Sequence, residues 1–334
     1  MARIAVIGCG NIGKRHCQAL LLMEEGLDIF LIDPFVNFED FTGSLGKKAL
    51  ECRVDFHYVE DIESLSAIDV AIVATGSEGR YEVLQRLEKS VHPQYIIAEK
   101  FLFQTSKEYT DALQLFESNN RLNNVWVNQW MPSVYAFRLL KRRIGKNAGE
   151  LTMRVRGQNW GMCCNSVHFL ALFDFITGDQ SLLPGKSNFA DGFASAKRKG
   201  YIELFGEVEV KGPRNSVLLL DARSEPYTDT RFADITGEVV YLDFVTPEVS
   251  YYTCMYENKL KVITKTSNAE NEEIFIIPFQ SERTNQAVQD ILSNGACDLV
   301  PFARSTNHHL IMLEEFHYHL TRNCNFAGDK ISIT

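Results

Sequence analysis

The sequence predicts an α/β chain of two domains. A doubly wound parallel sheet comes first, and an α+β domain with a large, mostly antiparallel open sheet follows. Three observations carry this expectation. Strand and helix signals alternate over the first ~130 residues, as a parallel sheet covered by helices requires. A glycine-punctuated turn joins the first strand to the first helix. Beyond them, runs rich in β-branched and aromatic residues are divided by Gly, Pro, Asn and Asp turns, the texture of antiparallel strands. At 334 residues the chain can hold two cores of ordinary domain size, with the division predicted at 1–125 and 126–334.

Each element has its own signal. Residues 3–7 are a short apolar run. Ile12, His16, Ala19, Leu20 and Met23 then recur at helical spacing, and Gly26 supplies a stop. Strands are predicted at 28–32, 70–74, 95–98 and 124–127. Tyr81, Leu84 and Leu87 mark one side of a helix between the second and third of these. Thr105 and Glu108 form a capping box that opens another helix. A helix over 133–144 leads into strand-like runs at 151–156, 201–210, 216–221, 238–244, 259–265 and 274–277. With no helical crossover evident between them, these strands are expected to be largely antiparallel. Two helices, near 283–293 and 306–322, close the chain.

Composition narrows the function classes. The apolar and charged fractions, 45% and 23%, are those of an ordinary globular protein. A net charge of −9 argues against a nucleic-acid partner, which calls for a basic footprint. No unbroken apolar stretch is long enough to span a membrane. The cysteines at 9, 17, 52, 163, 164, 254, 297 and 324 show no C-x-x-C spacing and no zinc-ligand pattern. Reduced thiols, a cytoplasmic location and no metal are the expectation. His308, His309, His317 and His319 offer no i, i+4 ligand pair at 308/319 or 309/317.

Gly8-Cys9-Gly10-Asn11-Ile12-Gly13 follows a predicted strand and opens a predicted helix. In such a G-x-G-x-x-G turn the first glycine permits the tight turn and the second lets the backbone approach a pyrophosphate. The third lets helix and strand pack closely. The helix N-terminus supplies free N–H groups and a favourable dipole to the phosphates. Asp33 ends the second strand twenty residues after Gly13, where a carboxylate binds the adenosine ribose hydroxyls. Together these predict a Rossmann dinucleotide-binding domain. Asp33 would repel a 2′-phosphate, and Pro34, Phe35 and Val36 include no cation to bind one, so NAD is favoured over NADP.

Further motifs resemble one family. Gly13-Lys14-Arg15-His16, Ala74-Thr75-Gly76-Ser77, Glu99-Lys100-Phe101 and Asn128-Gln129-Trp130-Met131-Pro132 occur in order. So does Cys164-Asn165-Ser166-Val167-His168, whose run ends at Phe175-Ile176-Thr177-Gly178. The layout is similar to that of the glucose-fructose oxidoreductase, inositol dehydrogenase and rhizopine catabolism protein family. The resemblance implies that Thr75, Gly76, Ser77, Glu99, Lys100 and Gln129 border the cofactor, beside Gly8, Gly10, Asn11, Ile12, Gly13 and Asp33. It implies a homodimer or homotetramer formed through the second domain's sheet. It also implies hydride transfer at a hydroxyl or carbonyl of a sugar, sugar derivative or nucleotide-linked sugar. Three positions depart from the family pattern: Phe101 replaces a proline, Cys164 an aspartate and Ala171 an acid.

Oxidising an alcohol requires a hydride acceptor and a base for the hydroxyl proton. His168 is the expected base, because imidazole titrates near neutrality. Lys100 is expected to hydrogen-bond and polarise the reacting oxygen. Asn165, three residues before His168 on a helix, is expected to contact substrate. Without the family pattern, His168 among Val167, Phe169 and Leu170 reads as a core histidine, and Asn165 equally as a helix cap. Trp130 and Trp160 suit either a sugar ring or the core. Lys197-Arg198-Lys199 reads as a solvated turn before a strand, with a phosphate clamp as the alternative. The missing acids leave a second class open, a cofactor-binding sensor without turnover.

Overall fold

A computed structural model describes residues 1–46, 53–178, 182–279 and 282–334. Cys52 lies outside the described residues. The chain divides into two compact units, residues 1–128 with 278–305 and residues 129–277 with 306–334. The return of 278–305 to the first unit falls in a stretch that the sequence assigns to the second domain.

The chain opens with β1 (Ala2–Ile7), α1 (Asn11–Leu20), β2 (Leu27–Ile32), α2 (Phe38–Gly43) and β3 (Val54–Tyr58). It continues through β4 (Val70–Val73), α3 (Arg80–Arg86), β5 (Tyr95–Ala98), α4 (Ser106–Ser118) and β6 (Val125–Val127). Then come α5 (Tyr135–Ile144), β7 (Thr152–Gln158), α6 (Met162–Thr177), β8 (Leu183–Phe189), β9 (Ala194–Ser195) and β10 (Ile202–Glu203). Six strands follow: β11 (Gly206–Lys211), β12 (Val217–Arg223), β13 (Val239–Val245), β14 (Ser250–Tyr256), β15 (Lys259–Lys265) and β16 (Glu270–Ile276). The last elements are α7 (Thr284–Asn294), β17 (Val300–Pro301) and α8 (Phe302–Asn323).

In the first unit seven strands lie in the order β17-β6-β5-β4-β1-β2-β3. Apart from β17 this is the 3-2-1-4-5-6 order of doubly wound dinucleotide-binding sheets, with its switch point between β1 and β4. All neighbours are parallel except β17, which adds antiparallel through Val300 opposite Val127. Ile4, Val6, Val70, Ile72 and Ile97 are buried in one core with Cys17, Leu20 and Ile291 of the covering helices. A sheet covered on both faces needs such continuously apolar strands. The Thr105 capping box is formed: its hydroxyl accepts from the Glu108 N–H, and the Glu108 carboxylate reaches back to the Thr105 N–H.

The second unit carries an eight-stranded sheet in the order β16-β15-β14-β13-β7-β12-β11-β8, and a two-stranded piece, β10-β9. The large sheet is antiparallel except where β12 runs parallel to β7, Leu220 opposite Val155. The expectation that no helical crossover links the strands is therefore corrected, because α6 lies between β7 and β12 in the chain and supplies one. Met162 to Ile176 is apolar on almost every side and largely buried, so α6 has no polar stripe to betray its period. Along β7 Met153 and Val155 are buried while Arg154 is exposed, the alternation of a sheet with two different faces. Residues 224–238 cover part of the charged face. Phe232 is buried against Tyr241, Cys254 and Ile263, and Asp229 pairs with Arg156 at 3.3 Å.

Candidate functional site

The candidate residues of the first unit gather at the carboxyl ends of its strands. Gly8, at φ +93°, turns the chain out of β1, and a Cβ there would lie 2.7 Å from the Thr75 nitrogen. A Cβ at Gly13 would run into the Gly8 carbonyl oxygen, so α1 can start this close to β1 only with glycine. Gly10 is different, because a Cβ there meets nothing within 4 Å. Its exposed backbone leads into the first turn of α1, where Asn11, Ile12 and Gly13 have N–H groups with no intrahelical acceptor. Gly10 brings no side-chain cap to them. Open space beside free donors at a helix N-terminus fits a dinucleotide pyrophosphate.

Asp33 is fixed beside this loop. One carboxylate oxygen accepts the Cys9 N–H at 2.8 Å and the other the Phe35 N–H at 2.8 Å. Each oxygen keeps a lone pair for a ribose hydroxyl. An apolar recess beside Asp33 is lined by Leu31, Val36, Phe38, Phe41 and Tyr58. The sequence gives no signal for it, because α2 and β3 carry no strong pattern. Burial and the charge of Asp33 push the Cys9 thiol up to about 12, which keeps it protonated and inert.

Thr75, Gly76 and Ser77 form the loop after β4, and Glu99-Lys100-Phe101 follows β5. One residue that the sequence did not reveal ties them together. Arg80, 1% exposed, donates to the carbonyls of Glu99 at 2.7 Å, Leu102 at 3.1 Å, Phe101 and Thr75. The buried Ser77 hydroxyl accepts from Gln104 at 2.9 Å. The Lys100–Phe101 peptide is cis.

Glu99 is buried and accepts from His16 Nε2 at 2.9 Å and from Asn128. Its place is therefore a buried polar junction. Thr284 at the start of α7 holds the other His16 nitrogen at 2.7 Å. Burial works against the Glu99 carboxylate, yet His16, Asn128 and Lys100 together hold it below the usual range. Burial also depresses the neighbouring Arg283 guanidinium to about 10, with Glu99 opposing.

In the second unit α6 brings Asn165 and His168 onto consecutive turns. His168 is 6% exposed, and its ring lies 5.8 Å from that of Trp130. Asn165 donates to the Trp160 carbonyl at 2.7 Å. Trp160 itself is buried with its indole N–H on the Asp221 carbonyl at 2.9 Å, the core alternative of the two readings. Gln129 is wholly buried and donates to the Val167 carbonyl at 2.6 Å. Two carboxylates stand where the sequence offered no signal. Glu203 on β10 accepts the Cys163 N–H at 2.8 Å at the start of α6, and burial raises its pKa. Asp174 on α6 pairs with His308 at 2.8 Å. Of the basic run, Lys197 pairs with Glu238 at 2.6 Å, and Arg198 lies 5.0 Å from the Tyr201 ring. Among the described residues no group of three or more His, Cys, Asp and Glu is placed to hold a metal, and no helix is long and apolar enough to cross a membrane.

A 3-2-1-4-5-6 sheet with a glycine loop at its switch point and a carboxylate ending β2 defines a Rossmann dinucleotide-binding protein. Residues 2–129 match the family described as "Oxidoreductase family, NAD-binding Rossmann fold". Over these residues the chain is similar to the GFO_IDH_MocA oxidoreductases, in agreement with the resemblance read from its motifs. No curated protein sequence matches it.

Solved structures share its fold. An oxidoreductase from Agrobacterium radiobacter, in complex with NAD+, L-tartaric acid and magnesium, is 14% identical with a TM-score of 0.67. The match covers 93% of this chain and 94% of that one. UDP-N-acetylglucosamine 3-dehydrogenase GnnA from Acidithiobacillus ferrooxidans is 11% identical with a TM-score of 0.68, over 94% and 96% of the two chains. A mutant of the 3-ketoreductase KijD10 from Actinomadura kijaniata, in complex with TDP-benzene and NADP, is 10% identical with a TM-score of 0.66, over 95% and 96%. At these identities the likeness is one of fold.

Proposed function

We propose that this protein is an NAD-dependent dehydrogenase or reductase acting on a CH–OH group of a sugar, sugar derivative or nucleotide-linked sugar. The observation that carries the reading is the glycine loop, open at Gly10 and flanked by an anchored carboxylate at Asp33. Gly8 to Gly13 would hold the pyrophosphate, Asp33 the adenosine ribose, and Thr75 to Ser77 with Glu99 the nicotinamide half. The repulsion between Asp33 and a 2′-phosphate favours NAD, although the relatives of like fold include complexes with NAD+ and with NADP. When bound, the cofactor supplies the hydride acceptor or donor.

The chain's own residues do the rest. Lys100, at the carboxyl end of β5, donates a hydrogen bond to the reacting oxygen and stabilises the charge that develops there. His168 accepts the hydroxyl proton at a ring nitrogen in oxidation and returns it in reduction. Asn165 hydrogen-bonds a neighbouring hydroxyl. Sugar-type substrates are further supported by dehydrogenase and ketoreductase names among the relatives of like fold.

The test is a panel of sugars and nucleotide sugars with NAD+ and with NADH, followed at the reduced-nicotinamide absorbance. Turnover that falls by about 10²-fold or more in Lys100→Ala and His168→Ala is expected. Tight NADH binding with no turnover on any member of the panel would favour a sensor instead.

A further inference from the structure

A buried polar chain runs behind His168, and of its members only Gln129 has been given a role above, the cofactor contact that the resemblance implies. It begins at Asp174, 1% exposed on α6, whose carboxylate meets His308 Nε2 at 2.8 Å. His308, on α8, is also 1% exposed. Its Nδ1 lies 3.3 Å from the amide nitrogen of Gln129, which is 0% exposed. The same amide nitrogen reaches the Val167 carbonyl at 2.6 Å, one residue before His168. Trp130, next to Gln129, sets its ring against the His168 imidazole.

The donor directions in this chain fix one another. A carbonyl can only accept, so the Gln129 group facing Val167 is the NH2. That NH2 then also faces His308 Nδ1, which must be an acceptor. The ring proton therefore sits on Nε2 and donates to Asp174. The ring is thus held between a carboxylate and an amide. Buried hydrogen bonds are costly to break, so the Asp174–His308–Gln129–Val167 run favours one arrangement of the elements it joins. Here it joins α8, the segment after β6, and α6 at Val167 and Asp174. On an apolar helix buried on nearly all sides, as α6 is, this run adds to the bonds of Glu203 with the Cys163 N–H and of Asn165 with the Trp160 carbonyl in fixing the rotation.

We propose that Gln129, His308 and Asp174 are positioning residues for His168. They lock the rotation and height of α6 so that the imidazole stays against Trp130 in its working orientation. The inference rests on the catalytic role proposed for His168. It gives the Gln129 NH2 a different task from the cofactor contact that the family resemblance implies, because that group is spent on α6 and α8.

The experiment compares Gln129→Met, which keeps shape but removes the donor, with Asp174→Leu and with Asp174→Asn, which retains an acceptor for the His308 N–H. Three quantities are read on the full chain: NADH affinity by fluorescence titration, turnover at saturating substrate, and NMR cross-relaxation between the ring protons of His168 and Trp130. His168 is assigned with His168→Gln. Gln129→Met and Asp174→Leu are expected to lose the ring contact and about 10²-fold in turnover, a misplacement effect. NADH affinity stays within about twofold, and Asp174→Asn recovers most of the turnover.

Loss of NADH affinity in Gln129→Met with turnover at saturation unchanged would overturn the proposal, since that is the mark of a cofactor contact. So would an intact ring contact in both disruptive variants. If Gln129→Met does not fold, Asp174→Leu against Asp174→Asn decides alone. If wild type turns over no substrate, the functional reading fails, and the ring contact still decides whether the network positions His168.

Discussion

Replacing Arg80 by Met should loosen the loops after β4 and β5 together. The guanidinium is 1% exposed and serves four backbone carbonyls, those of Thr75, Glu99, Phe101 and Leu102. Methionine fills part of the space and donates nothing. A buried acceptor left unsatisfied costs about 1–3 kcal/mol. Four acceptors at the low end of that range give roughly 4 kcal/mol, and relaxation of the loops toward water keeps the cost from rising much further. Such a loss is a large part of an ordinary domain's stability. Urea unfolding of Arg80→Met, followed by the fluorescence of Trp126 on β6, should show the drop as a lower midpoint with little change in slope. Arg80→Lys should recover only part of it, because an ammonium lacks the planar fork that reaches several carbonyls. NADH affinity should fall in the same variants, since the loop at Thr75 and the segment from Glu99 to Leu102 lose their common tether. An Arg80→Met chain within about 1 kcal/mol of wild type would refute the reasoning.

Other outcomes follow from the same physics. Gly10→Ala should fold normally yet lose NADH affinity in a binding titration, whereas Gly13→Ala should lose about 3 kcal/mol or more of stability because its Cβ meets the Gly8 carbonyl. Phe232→Ala should destabilise the second unit by about 3–5 kcal/mol in thermal unfolding, having emptied the pocket under residues 224–238. Acid and base limbs should separate two carboxylates. Glu99 is held below its unfolded pKa, so its contribution is present above that value and disappears as pH falls; Glu99→Gln should flatten the acid limb of stability against pH. Glu203 is raised by burial, so its ionisation costs stability as pH rises past the unfolded value, and Glu203→Gln should remove that loss.

How much of this was legible depends on the range of the interaction concerned. The strand-turn-helix around Gly8 to Gly13 is local, and each glycine has a local reason, so the loop, Asp33 and the capping box at Thr105 were readable. Strands at the sheet edges were harder. β8 contains Pro184 and Gly185 and reads as a turn, yet an edge strand tolerates both because one side needs no partner. β17 is two residues long, and β3 alternates weakly at the opposite edge. β14 was missed because Thr253 and Cys254 are both buried, which breaks the alternation. The parallel β7–β12 pair is not evident from pattern, because the all-round apolar surface of α6 carries no period and only the family resemblance marks a helix there.

The candidate site divides in the same way. His168, Lys100 and Asn165 stand in ordered motifs. Arg80, Glu203 and the chain of Gln129, His308 and Asp174 act across long sequence separations on backbone groups that any residue could supply. No spacing rule marks a side chain that donates to a distant carbonyl.

The central claim is a nicotinamide dinucleotide bound at the Gly8–Gly13 loop with Asp33 on its ribose. Calorimetric titration of the purified chain with NADH and with NADPH tests it most directly, with Asp33→Ala alongside. The account predicts that NADH binds more tightly than NADPH and that Asp33→Ala loses NADH affinity far more than NADPH affinity. Equal losses for the two would contradict the role given to Asp33, and binding of neither would contradict the account as a whole.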